Sequence, residues 1–166
     1  MVYLKKILIT TDLSEHSAAA FEHAFSLGLL YASKMFVLHV VEEAHARFRL
    51  PGHEEDVQQQ STRLEAEGLV KLNQFVLSHV GTERKIHPIV RIGIPEREIL
   101  SFAEEEGLDL VVMATHGWTG LKHIVLGSVA EKVVRHSSVP VLTVKPKPMQ
   151  EPVVRREDVE SELHLK

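Results

Sequence analysis

Three short groups of residues have the types and spacing for chemistry. Thr10-Thr11-Asp12 puts a carboxylate behind two hydroxyls at the end of an apolar run. Ala114-Thr115-His116-Gly117 closes a second apolar run, and Gly127-Ser128 follows after nine intervening residues, where a helical pattern begins. Glycine tolerates left-handed backbone angles and lets a ligand come close to main-chain N–H groups. A helix N-terminus adds unsatisfied N–H donors and the positive end of the helix dipole, which suits an anion such as a nucleotide phosphate. Ser128 would add a hydroxyl donor, His116 a ring N–H, and Asp12 an acceptor for ribose hydroxyls.

Each group also has a plainer reading. Asp12 with Glu15 makes a helix-capping pattern, and Ser14 is a second cap candidate. Ser128-Val129-Ala130-Glu131 matches the S-x-x-E capping box. A loop histidine such as His116 need have no role. Both sets of readings stand on the pattern alone.

Other chemistries lack their signatures. The sequence has no G-x-x-x-x-G-K-[ST], no G-x-G-x-x-G, no G-x-S-x-G and no H-E-x-x-H. It has no cysteine, which excludes disulfides, thiol catalysis and cysteine zinc sites. Of its 11 histidines, His45, His53, His79 and His87 read as surface residues and His39 as a satisfied strand residue. The formal net charge of -4 argues against general nucleic-acid binding. The run Ile7-Leu8-Ile9 after Lys5-Lys6 is too short for a signal peptide, and nothing nears the roughly 20 apolar residues of a membrane span. The expectation is a soluble cytoplasmic protein without membrane or nucleic-acid partners.

The elements that must position these groups follow from periodicity. At 166 residues, 44% hydrophobic and 25% charged, the chain fits one domain with a sizeable core. Five apolar runs, at 7–10, 35–41, 86–92, 108–114 and 139–144, read as strands. All but the third show little alternation, as in parallel strands covered on both faces. The third carries Pro88 and is placed at an edge. A helix over about 14–32 carries Phe21, Ala24, Phe25 and Leu29 on one face. A longer one after Gly52 carries Leu69, Leu72, Val76 and Val80. Pro95 opens a third, with Ile99, Phe102 and Ala103, which Gly107 ends. The last has Val129, Val133 and Val134 as its stripe and Lys132 and Arg135 on its solvated face. Alternating strands and helices predict an α/β fold: an open five-stranded parallel sheet with helices on both faces. Ligands of such sheets sit beyond the carboxyl ends of the strands, where strand order reverses. If the first and fourth strands are neighbours, Asp12 and the 114–117 turn share one crevice. Residues 42–56 read as a polar surface loop, with a lid over the site as the alternative, and 147–166 as a Pro-rich, then charged, tail with room for a short docking arm.

KKILITTDLSEHS (5–17), RIGIPEREIL (91–100) and LDLVVMATHGWTGLKHIVLGSVAEKVVRHSSVPVLTVKP (108–146) resemble the universal stress protein family over roughly residues 2–146. The family's nucleotide motif, G-x-x-G, nine residues, then G-[ST], is matched in spacing, with Ala114 in place of the first glycine. Thr10 stands where proline is usual, and Asp12 matches the family aspartate. The resemblance implies a domain over 1–146, a Rossmann-like (adenine nucleotide alpha hydrolase-like) sheet of order 3-2-1-4-5, and ATP, ADP or AMP as ligand, with Mg²⁺ an optional companion. It implies Asp12 at the ribose, and Thr10, Val40 and Met113 bordering the adenine. Ala114, Thr115, His116, Gly117, Gly127, Ser128 and Val129 would line the phosphate path. It further implies a homodimer paired through Val141-Leu142-Thr143-Val144. The leading expectation is a stress-associated adenine-nucleotide-binding module. Ala114 and Thr10 keep open a nucleotide-free dimeric interaction protein of the same fold. A slow ATP hydrolase ranks last, because Asp12 and His116 have no obvious partner base.

Overall fold

The computed structural model describes residues 3–42, 54–81, 85–115 and 126–146, with the backbone alone for 54–57. In chain order the elements are β1 (Lys6–Thr11), α1 (Glu15–Tyr31), β2 (Lys34–Glu42), α2 (Glu54–Val80), β3 (Ile86–Gly93), α3 (Pro95–Glu106), β4 (Leu110–Ala114), α4 (Ser128–His136) and β5 (Val141–Val144). The strands form one sheet of order β3-β2-β1-β4-β5, and every pairing is parallel. The tail 147–166 and residues 43–53 of the polar loop lie outside the described residues.

Successive strand residues point to opposite faces, and both faces are covered. Ile7, Ile9, Val37 and Val112 pack against Phe21 and Phe25 of α1 and Leu72 of α2. Leu8, Phe36, Leu38, Val111 and Met113 pack against Ile99 and Phe102 of α3 and Val133 of α4. With apolar cover on either side, β1, β2 and β4 need no polar alternation, so they read as continuous apolar runs. β3 is an edge strand, and there Pro88 can lack its N–H at little cost.

Local signals set the helix ends. Ser14 is the N-cap of α1, its side chain accepting from the Ser17 N–H. Pro95 opens α3, and Gly107 closes it in the left-handed conformation at φ 59°. Ala32 closes α1 in the same conformation without being glycine.

Three apolar residues leave their expected faces. Leu29 is 84% exposed, Leu69 38% and Val134 46%. The buried face of α1 is Ser17, Ala20, Phe21, Ala24, Phe25 and Gly28. Leu29 lies about 80° further round than Phe21 at 3.6 residues per turn, beyond the sheet's reach. On α2 Gly68 joins Leu72 on the sheet side, its missing side chain leaving room for Val41 and Val90, and Leu69 turns outward beside it. On α4 the buried pair is Ala130 and Val133.

An ion-pair cluster holds α3 to β3. Arg91 contacts Glu105 at 2.5 Å and Glu98 at 3.6 Å, with its guanidinium 4.9 Å from the Phe102 ring centre. The Arg91 N–H donors, with the Ser101 hydroxyl, hold the Glu105 carboxyl at about 2 against an ordinary 4.5. A lowered folded pKa means that the stabilisation is complete above the ordinary value and is lost as pH falls through the folded one. The stability difference between wild type and Glu105→Gln is therefore expected to shrink as pH falls from 4.5 to about 2. Urea midpoints across that window test this; a difference that does not change with pH rejects it.

Candidate functional site

β1 leaves the sheet centre through a turn built by its own hydroxyls. Thr11 Oγ1 accepts from the Leu13 N–H at 2.9 Å and lies 2.7 Å from Ser17 Oγ. Ser17 Oγ donates to the Ser14 carbonyl at 2.7 Å, so the Thr11 hydroxyl is the donor to Ser17. Leu13 takes φ 63°, a costly conformation for a non-glycine residue. It is held there by the Thr11 bond and by packing of the Leu13 side chain on the core. Asp12 Oδ1 accepts from the Ser14 N–H at 3.1 Å and the Ser14 hydroxyl at 2.5 Å. Ser14, not Asp12, is thus the cap of α1, and Asp12 braces it from two residues outside the helix. His39, in register with Thr11, is satisfied through Nδ1 on the Thr11 carbonyl at 3.0 Å.

The mouth of α4 is clamped to the end of β4. The Gly127 N–H donates to the Thr115 carbonyl at 2.6 Å, and the Thr115 N–H to the Val144 carbonyl at 2.8 Å. This places the N-cap at Gly127, with no side-chain capping bond, and makes Ser128 the first helical residue. The capping-box reading of Ser128 and Glu131 therefore fails. A Ser one position inside the helix is out of register to cap it, and Glu131 instead bonds Arg135 at 2.6 Å. Gly127 has φ -66°, which any residue adopts.

β1 and β4 are hydrogen-bonded neighbours, so the two ends share a crevice. A cavity of about 290 Å³ lies there, near the lower end of the roughly 300–1,000 Å³ usual for small-molecule sites. Its lining includes Thr10, Asp12, Val40, Met113, Ala114, Thr115, Gly127, Ser128 and Val129, nine residues singled out from the sequence. His116 and Gly117 lie outside the described residues. The structure adds Thr11, Ser17, Leu38, Glu42, Pro95, Ile99 and Ala130. Leu38 and Glu42 flank Val40 at period two, a signal that the sequence already carried. Pro95 and Ile99, one turn apart on α3, join only because α3 packs over β2. Lys132 of α4 bonds Glu96 of α3 at 2.6 Å, tying together two walls of the cavity; this bond holds the Glu96 carboxyl below its ordinary value.

The arrangement has two ends. Leu38 and Val40 of β2 with Pro95 and Ile99 of α3 make an apolar slot, and Met113 of β4 adds to the apolar lining. The N-terminus of α4, with the Ser128 hydroxyl, gives the end over β4 the donors that could hold an anion. Asp12 lies between them. The charged side chains that line the cavity are Asp12 and Glu42 among the described residues, and the N-terminus of α4 adds N–H donors and the positive end of its dipole.

The family model for the universal stress protein family matches residues 4–145. The chain belongs to the universal stress protein family. It is 36% identical over 160 residues to universal stress protein MJ0577 of Methanocaldococcus jannaschii, spanning 88% of this chain and 98% of that one. It is 38% identical over 147 residues to universal stress protein MJ0531 of the same organism, spanning 89% and 85%. The solved structure of MJ0577 matches with a TM-score of 0.73 at 37% identity, over 88% of this chain and 99% of that one. A universal stress protein solved in complex with cAMP shares the fold at 21% identity and a TM-score of 0.57, over 87% and 99%. This member of the family thus carries its Rossmann-like sheet with β1 at the centre and the cavity at the point where strand order reverses.

Proposed function

We propose that this universal stress protein is a stress-associated module that binds an adenine nucleotide, ATP, ADP or AMP, and alters its shape or its partners on binding. One observation carries the reading. The uncapped mouth of α4 is held by the Gly127–Thr115 bond at one end of a cavity that has a carboxylate midway and an apolar slot at the other end. Those are the three surfaces that a phosphate, a ribose and a base require. In this reading Asp12 accepts from the ribose hydroxyls, and Thr10, Val40 and Met113 border the adenine. Ala114, Thr115, His116, Gly117, Gly127, Ser128 and Val129 follow the phosphates. The cAMP complex of a protein of the same fold is consistent with it. Pairing of β5 (Val141, Leu142, Thr143, Val144) with a second copy would complete the exposed sheet edge. A single-chain mass by light scattering overturns that part.

The test is mass spectrometry of nucleotides released from the purified protein on denaturation, followed by calorimetric titration of the stripped protein. Release or binding of ATP, ADP or AMP is expected. Absence of binding to all three at saturation overturns the proposal.

The second reading, a nucleotide-free interaction protein, is favoured by Ala114. Ala114 ends β4 and lines the cavity, where the phosphates would pass. Ala114→Gly separates the two. Affinity gained several-fold over a measurable wild-type value is expected; binding that appears only in the variant supports the second reading.

A further inference from the structure

Glu42 lines the cavity, and the nucleotide reading above leaves it without a role. It ends β2, one step beyond Val40 on the face shared with Leu38. Its surroundings leave it directed at the cavity. Its register partner on β3 is Gly93, over which lies the Glu98 side chain, a second carboxylate that offers Glu42 no hydrogen-bond donor. On the other side β1 stops at Thr11, opposite His39, three residues short. Arg91, in register with Val40, is already held by Glu105 and Glu98. Among the described residues Glu42 has no cation partner.

The cavity's two ends decide what Glu42 meets. β2 lies two strands from β4, about 10 Å at the usual strand spacing. A nucleotide with its phosphate at the α4 mouth and its ribose on Asp12 therefore lays its base over Leu38 and Val40, under Pro95 and Ile99. The edge of the base then faces Glu42. An ionised carboxylate only accepts hydrogen bonds, so it favours a base that offers a donor there.

We propose that Glu42 is a specificity residue that accepts a hydrogen bond from the exocyclic amino group of adenine. The proposal rests on the nucleotide reading above. The test compares ATP with the triphosphate of purine riboside, which lacks that amino group, and with GTP, on wild type and Glu42→Ala. Glu42 is exposed, so the variant is expected to fold normally, which its urea midpoint verifies. Wild type is expected to prefer ATP over the purine riboside analogue by about ten-fold, the worth of one charge-assisted hydrogen bond. Glu42→Ala is expected to lose that preference by weakening ATP alone. An equal loss for both ligands would make Glu42 a wall residue and overturn the proposal. An unchanged preference would overturn it too. GTP bound more tightly than ATP by wild type, and not by the variant, would overturn it in favour of a guanine contact. Failure of every triphosphate to bind wild type would instead reject the nucleotide reading itself, and this inference with it.

Discussion

Replacing Phe102 with alanine is expected to lower the free energy of unfolding by about 3–5 kcal/mol. The ring is 4% exposed, so its removal forfeits nearly the whole transfer energy and leaves a void between α3 and the sheet. It also loses an edge-to-face contact with Phe36 at 5.5 Å and the Arg91 guanidinium above it, each worth about 0.5–1 kcal/mol. The Arg91–Glu105 pair holds the backbone of β3 and α3 in place, which limits collapse into the void. Against a typical total of 5–15 kcal/mol, this single truncation removes a large share. Urea unfolding by circular dichroism measures it, and a loss under about 1 kcal/mol would show that α3 relaxes inward. Ile99 lies one turn before Phe102 and lines the cavity, so a weakened α3 should also loosen the apolar slot.

Asp12→Ala is expected to weaken adenine-nucleotide binding by about 100-fold, which corresponds to two charge-assisted hydrogen bonds from ribose hydroxyls. The same change removes the acceptor for the Ser14 N–H and hydroxyl, so a stability loss of about 0.5–2 kcal/mol from the weakened cap accompanies it. Ser14→Ala separates the two effects, because it removes the cap oxygen and leaves the carboxylate. Its expected signature is the stability loss with affinity kept within a few-fold. Calorimetric titration of both variants decides. Equal affinity losses would mean that Asp12 serves the turn and not the ligand.

Much of this architecture was legible in the chain because its signals are local. Unalternating runs of Val, Ile and Leu mark strands covered on both faces, and Pro88 marks an edge. Pro95 and Gly107 bracket α3 through their own backbone restrictions. Asp12, Ala114 to Gly117 and Gly127-Ser128 stand out because strand ends and helix starts leave signatures within a few residues. The face of a helix is less local. Leu29, Leu69 and Val134 fit the apolar period of their helices, yet they lie outside. The width of a buried stripe is set by the surface opposite, and no period contains that.

The remaining features required distant segments to meet. Asp12 shares a cavity with Gly127 only because β1 and β4 are hydrogen-bonded neighbours. Ser128 reads as a cap from four residues of sequence. It lies inside the helix because Thr115 and Gly127, brought together by the sheet, bond to each other and set where α4 begins. Pro95 and Ile99 become cavity walls through the packing of α3 over β2, where they meet Leu38, Val40 and Glu42. Periodicity and capping are encoded over a few residues and so can be read directly. Adjacency and burial are sums over elements far apart in the chain, and they take a value only once the chain has folded.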